Sequence, residues 1–444
     1  MRYNQKVAQN LAGQIRETLS PGEWQLLQHV AEAASTLRMP LYAVGGFPRD
    51  LLLGYPRSDF DLVVEGAAAQ LAQKLAGLHG GKVTAHSKFC TAKWSLTGTV
   101  FHEGARALHN PASIPNALDF VSARSETYRH PAALPTVKLG TIADDLRRRD
   151  FTINALAVRL DGTHFGDLLD DLGGGDDLKR RLVRVLHDNS FVDDPTRMYR
   201  AARYEQRYEF KIEGTAERLL PAAREVVGKL SPHRIRHELD LILDEERAGA
   251  IVDRLAALDL LKPIHAALTV DQKVSERISR YERRPTFVVP AWPAHEVRWL
   301  LWLMALPAST LDSLNRRLHF SATLFKALRA ASTLLERVDP GAEFVPSRWV
   351  QLLDDMPLLS VYAVCLALPP GSGKSALEKY MAEWRHMRSR TTGHDLKRLG
   401  VSPGPEYQSI LGSLRRAWLD GLVHSEAEEN EYLQGLLDKA QDKQ

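Results

Sequence analysis

The stretch from Leu41 to Val64 constrains the fold of this chain more than any other. The apolar run Leu41-Tyr-Ala-Val44 reads as a buried strand, and Gly45-Gly46 ends it in a tight turn whose backbone can approach a triphosphate closely. Pro48 suits the first turn of a helix, so Arg49 to Leu53 reads as a short helix offering N–H groups and a positive dipole end to anionic oxygens. Asp59-Phe-Asp61-Leu-Val-Val64 then opens a second strand. Side chains two apart on a strand face the same way, so Asp59 and Asp61 can share divalent cations. Such cations can activate an attacking hydroxyl and stabilise a departing pyrophosphate. Asp-x-Asp and Gly-Gly are each common in turns, and it is their combination that points to nucleotidyl transfer.

Strand, turn, Arg-Asp helix and Asp-x-Asp strand together resemble the active-site signature of the polymerase-beta-like nucleotidyltransferases, specifically bacterial tRNA nucleotidyltransferases and poly(A) polymerases. Pro48 stands where Val is usual. Arg147-Arg-Arg149-Asp150-Phe-Thr-Ile-Asn154 resembles the family's second signature. Its arginines can meet phosphate oxygens by bidentate forks. Asp150 and Asn154 are four apart, on one face if the segment is helical, and can hydrogen-bond a ribose 2′-hydroxyl. Taken alone, the same residues would serve as helix caps beside an exposed basic cluster.

Phe191-Val-Asp193-Asp194-Pro-Thr-Arg197-Met-Tyr-Arg200-Ala-Ala-Arg203 resembles the signature of the bacterial-type (class II) enzymes, with Asp193 where Glu is usual. Asp194 is expected to cap a helix with Pro195 in its first turn. Asp194 and Arg197, three apart, would then present an acceptor and a fork of donors to a base edge, while Arg200 and Arg203 reach the triphosphate. Asp119, in Leu118-Asp-Phe-Val-Ser-Ala-Arg124, falls where the family places a third carboxylate. A solvated strand-end aspartate fits that pattern equally well. Ser231-Pro-His-Arg234-Ile-Arg-His-Glu238 resembles a supporting motif of the neck. Thr392-Gly-His-Asp395 through Gly404 resembles the element presented toward tRNA, although a helix–turn–helix junction needs the same glycines.

The resemblance implies an α+β head of polymerase-beta-like nucleotidyltransferase type with a small, five-stranded-type mixed β-sheet, followed by an all-helical neck, body and tail. The expected divisions are 1–172 for the head, 173–240 for the neck, 241–340 for the body and 341–444 for the tail. It also implies Mg²⁺ on Asp59 and Asp61, with Asp119 beside them. ATP and CTP would be held by Gly45, Gly46, Arg49, Arg149, Asp150, Asn154, Asp194, Arg197, Arg200 and Arg203, and tRNA would supply the attacking 3′-hydroxyl. The implied activity is template-independent CCA addition or repair. An A-adding enzyme working with a separate CC-adding partner shares every signature, and a CC-adding enzyme tends to shorten the loop before Arg147. A poly(A) polymerase usually ends in a basic extension, whereas Glu426-Ala-Glu-Glu-Asn-Glu is acidic; an inactive RNA-binding module would have lost Asp59 or Asp61.

At 444 residues the chain has room for two to four domains. A net charge of +3 is too small to argue for an RNA partner, so local clusters must carry that reading. The 2 cysteines, Cys90 and Cys365, lack neighbours at metal spacing. No apolar run is long enough for a bilayer and the N-terminus lacks a signal-peptide core, so a soluble cytoplasmic protein is expected. Residues up to about Met39 read as helix, Ala67 to Leu78 as a helix closed by Gly80-Gly81, and the Pro131/Pro135/Gly140 segment between Arg124 and Leu146 as a long loop. From about Asp193 onward amphipathic helices predominate. Gly371-Ser-Gly-Lys374-Ser375 ends like a phosphate-binding loop, but Leu368 stands where that motif needs glycine, so it reads as a turn opening a helix at Ser375.

Overall fold

The computed structural model describes residues 7–55, 60–86, 89–101, 114–127, 136–281, 290–338 and 345–441. They form two compact units, Met1–Ser231 and Pro232–Gln444.

The first unit is built on a mixed sheet. Its strands are β1 (Val7–Asn10), β2 (Leu41–Val44), β3 (Asp61–Val64), β4 (Lys82–His86), β5 (Thr91–Ser95), β6 (Ala117–Ser122), β9 (Ala157–Arg159) and β10 (Asp167–Leu169), in the order β1-β10-β9-β2-β3-β6-β5-β4. β7 (Arg124–Thr127) and β8 (Thr136–Leu139) form a separate antiparallel ribbon, and β11 (Leu182–Val183) pairs in parallel with β12 (Lys211–Ile212). All four residues of β2 are buried, as its unbroken apolar run requires of a central strand. β2 runs antiparallel to both neighbours, and among the described residues only the β3/β6 pairing within the large sheet is parallel.

Three sequence expectations are corrected here. Among the described residues the main sheet has eight strands rather than five, because short segments near Val158 and Leu168 extend it beyond β2. The N-terminal region is not helical throughout: Val7–Asn10 closes one sheet edge against β10, and helix begins only at α1 (Ala12–Thr18). Its continuation α2 (Pro21–Thr36) carries a Ser20/Glu23 capping box with Pro21 at its start. The segment between Arg124 and Leu146 is not simply a loop either, since it contributes the β7/β8 ribbon and α5 (Ile142–Arg147). Pro131 and Pro135 lie outside the described residues.

The remaining helices that shape the site are α3 (Gly46–Leu53), α4 (Ala68–His79), α6 (Gly174–Arg180), α7 (Ser190–Asp193) and α8 (Thr196–Arg207). α4 ends at Gly80, where the reading of the glycine pair puts it. Strand character persists past Asp193 in β12.

Every element in the described part of the second unit is helical. Helices Ala294–Leu303, Ala322–Arg337 and Leu358–Ala367 pack around buried Trp299, Leu303, Ala331 and Val361, and the Ser360 hydroxyl donates to the Ala327 carbonyl at 2.7 Å. A smaller core joins Leu396, Ile410, Leu414 and Leu433. Beside it the buried Glu429 carboxylate accepts from the Arg390 and Thr391 N–H groups at 2.9 and 2.6 Å. The Gly371 segment is the expected interhelical turn, but its helix starts three residues early, at Ser372. Among the described residues no helix is long and apolar enough to cross a membrane.

Candidate active site

Gly45 leaves β2 with φ +67°. A Cβ at that position would lie 2.7 Å from Arg149 Nη1, the movable end of a long side chain, so it is the backbone conformation that calls for glycine here. α3 starts directly at Gly46, which places Pro48 in its first turn, and Gly54 ends it in the left-handed region.

The next strand brings the carboxylates forward. Asp61 is the first residue of β3 and pairs in parallel register with Asp119 of β6, which pairs in turn with Lys93 of β5. Registered partners share a sheet face, so Asp61, Asp119 and Lys93 stand abreast. Trp94 and Ala92, on the opposite face, are buried. Lys93 Nζ lies 3.4 Å from Asp119 Oδ2, with both side chains more than half exposed. All three line a cleft of about 680 Å³ together with Phe47, Asp50 and Tyr55. Asp59 lies outside the described residues. Two carboxylates side by side at a solvent cleft supply the hard oxygen donors that suit a divalent cation such as Mg²⁺. Among the described residues no group of three or more metal-ligand side chains gathers.

The second cluster is a buried polar network. Arg49, only 4 % exposed, donates from Nε to Asp50 Oδ1 at 2.8 Å and from Nη1 to Asn154 Oδ1 at 2.5 Å. Its guanidinium lies 4.7 Å from the Tyr208 ring centre and 5.4 Å from that of Tyr204, while the Tyr208 hydroxyl donates to Asp50 at 3.2 Å. Burial is the largest single influence and disfavours the Arg49 charge, but the hydrogen bond to Asp50 and the nearby Tyr208, Asp50 and Tyr204 together outweigh it and raise the Arg49 pKa. Asn154 Nδ2 donates onward to Asp150 Oδ1 at 3.0 Å, and Arg200 Nη2 lies 2.6 Å from Asp150 Oδ2. Burial pushes the Asp150 carboxyl up, yet Arg200, Asn154 and Arg197 together pull it down to about 2. Asp150 and Asn154 meet although α5 ends at Arg147, because a 3-10 turn at Thr152–Asn154 supplies the approach in place of the conditional α-helix.

Asp194 Oδ1 accepts from the Thr196 N–H at 3.0 Å and from its hydroxyl at 2.7 Å, but α8 begins at Thr196 with Pro195 in the cap position, so Asp194 holds the first helical N–H from one residue outside the cap. Arg197, 5 % exposed, turns its fork inward: Nη1 donates to Ser190 Oγ at 2.6 Å and Nη2 to the Arg148 carbonyl at 2.8 Å. Arg149 Nη2 donates to the buried Asp145 at 2.9 Å, and Arg203 lies against the Tyr204 ring at 5.4 Å. Arg148 bonds Asp145 and, at 3.1 Å, Glu126 of the ribbon. Asp145, Ser190, Tyr204, Tyr208 and Lys93 are site residues that the sequence reading missed, and it gave Asp50, inside the first signature, no role. Tyr204 and Tyr208 are spaced i, i+4, which was a usable signal for a shared helix face.

A glycine turn beside paired strand carboxylates, backed by an arginine-rich helix, defines a nucleotidyltransferase head. Residues 41–184 match the poly A polymerase head domain, and residues 209–270 match the domain described as the probable RNA and SrmB-binding site of polymerase A. The A-adding tRNA nucleotidyltransferase of Halalkalibacterium halodurans is 32% identical over 98% of this chain and 94% of its own length. A second A-adding relative, from Geobacter sulfurreducens, is 32% identical over 94% of this chain, which spans 47% of that protein. The CC-adding enzyme of Deinococcus radiodurans is 31% identical over 89% of each chain. Solved CCA-adding enzyme complexes with ATP and with CTP each superpose with a TM-score of 0.75 at 28% identity, over 97% of this chain and 99% of theirs. This chain belongs to the tRNA nucleotidyltransferase family, whose members are enzymes.

Proposed function

We propose that this enzyme extends the 3′ end of tRNA without a nucleic-acid template, adding AMP from ATP and, in the fuller reading, CMP from CTP before it. The observation that carries the proposal is the Asp61/Asp119 register, since β3 pairs both with β6 and with β2, the strand that ends at the Gly45 turn, and so sets two carboxylates abreast on strands next to that turn. In this reaction the tRNA 3′-oxygen attacks the α-phosphorus, the α–β phosphoanhydride bond breaks, and pyrophosphate leaves with that electron pair. Asp119 accepts the hydroxyl proton. Gly45, Gly46 and Arg149 serve the triphosphate, and Arg203 serves it from α8. Asp150 and Asn154 take the ribose, Arg200 yielding Asp150 when the sugar arrives. Asp194 and Arg197 read the base. Mg²⁺, held by Asp61 with Asp59 and Asp119, would supply hydroxyl activation and charge stabilisation on pyrophosphate.

Addition of the terminal A alone is favoured by the two A-adding relatives. Full CCA addition is favoured by the likeness to CCA-adding enzymes over nearly the whole chain. The division into head, neck, body and tail accompanies either reading, with the helical second unit gripping the acceptor arm by shape and backbone and the protein working in the cytoplasm. The test is to incubate purified protein and Mg²⁺ with tRNAs lacking all three terminal nucleotides, ending in one C, or ending in CC, each with one labelled nucleotide. A-only addition predicts label solely from ATP on the CC-ended tRNA. CCA addition predicts CMP on the shorter ones too. No incorporation on any primer would overturn both.

A further inference from the structure

Lys93 has no part in the chemistry above, yet it ends the Asp61–Asp119 row. Its ammonium contacts Asp119 from the side opposite Asp61, and the register of β5, β6 and β3 fixes that order. Two carboxylates abreast repel one another, and a cation at one end of the row draws the nearer carboxylate toward itself. We infer that Lys93 is a positioning residue that holds Asp119 away from Asp61 until a divalent cation competes for it, and so sets the cation concentration at which the site assembles. The inference rests on the proposed role of Asp61 and Asp119 as cation ligands.

Lys93 stands mid-strand in β5 on its exposed face, and the buried residues on either side, Ala92 and Trp94, point the other way, so its replacement leaves the sheet core intact. The balance is an exposed one in which a lysine competes with a doubly charged ion. Its removal therefore frees Asp119 for the cation without vacating a buried site.

The experiment measures Mn²⁺ binding by electron paramagnetic resonance on the full chain, without nucleotide or tRNA, in wild type, Lys93→Met, Lys93→Arg, Asp119→Asn and the Lys93→Met/Asp119→Asn double variant. Lys82→Met, on the adjacent strand, controls for general loss of positive charge. Lys93→Met is expected to bind Mn²⁺ roughly two- to fivefold more tightly, with Lys93→Arg and Lys82→Met near wild type. In the Asp119→Asn background the Lys93 effect should vanish. Unchanged affinity in Lys93→Met, an equal gain in Lys82→Met, or a Lys93 effect that persists without Asp119 would each overturn the inference. Because the readout needs no transfer, a failure of the tRNA assay leaves this result standing, and a failed Mn²⁺ response leaves the assay standing.

Discussion

Arg200 and Asp150, fifty positions apart, are joined through two guanidinium nitrogens, with Nε donating to Asp150 Oδ2 at 2.7 Å and Nη2 2.6 Å from the same oxygen. The bond ties helix α8 to the turn after α5 and keeps a buried carboxylate ionised. Its folded pKa of about 2 lies below the ordinary carboxylate value, so the stability it contributes is present above pH ~4 and is lost as pH falls toward 2. Urea melts of wild type and Asp150→Asn should therefore differ most at pH 5 to 7 and converge near pH ~2. A constant gap across that range would contradict the ion pair's role.

Asp150→Ala should also narrow the preference for ribonucleotides, weakening ATP and CTP while barely affecting their deoxy analogues. The measurement is the ratio of ribo- to deoxynucleotide incorporation. An unchanged ratio would leave Asp150 with its structural bonds alone.

Asp61→Ala should abolish nucleotidyl transfer while leaving the thermal unfolding midpoint close to wild type, because the side chain is exposed at a strand start. Near-normal incorporation would sink the proposed mechanism.

Arg197→Ala should admit GTP or UTP in a four-nucleotide competition on a tRNA primer, whereas Arg203→Ala should slow all nucleotides alike. Each lost base contact is worth about 1–3 kcal/mol of discrimination. Ser190→Ala, which removes the acceptor of Arg197 Nη1, should loosen base choice in the same direction at a stability cost of about 1–2 kcal/mol. If Arg197→Ala slows every nucleotide equally and Arg203→Ala alters selectivity, the two assignments are reversed.

Arg49→Ala should destabilise the first unit by about 3–5 kcal/mol, since it leaves Asp50 buried without its cation and removes the guanidinium that lies against two tyrosine rings. Denaturant midpoints would show it. A neutral outcome would mean that Asp50 finds a new partner.

What the sequence made legible was local. The strand Leu41–Val44, the glycine turn and the helix stop at Gly80 follow from residue types whose conformational needs hold wherever they stand. The strand Val7–Asn10 carries no such marker and exists because β10, about 160 residues later, offers an edge. The β7/β8 ribbon was hidden by the prolines and glycine around it, whose turn signals dominate so short a stretch. In the site, the arginines were visible as arginines. Their orientation was not, because the inward fork of Arg197 depends on Ser190 and Arg148, and the burial of Arg49 depends on the rings of Tyr204 in α8 and Tyr208 just past its end.

The parallel β11/β12 pair encloses α7 and α8 between residues 182–183 and 211–212, and its ends are fastened by Lys211 N–H to the Arg181 carbonyl at 2.9 Å and Glu213 N–H to the Val183 carbonyl at 3.0 Å. For segment exchange between relatives this means that a crossover inside the enclosed stretch would split one hydrogen-bonded loop between two parents. A crossover at the end of the first compact unit, near Ser231, inherits the loop whole. Chimeras joined there should keep the arginine helix seated on its own sheet, and recombination of specificities is best attempted at that junction.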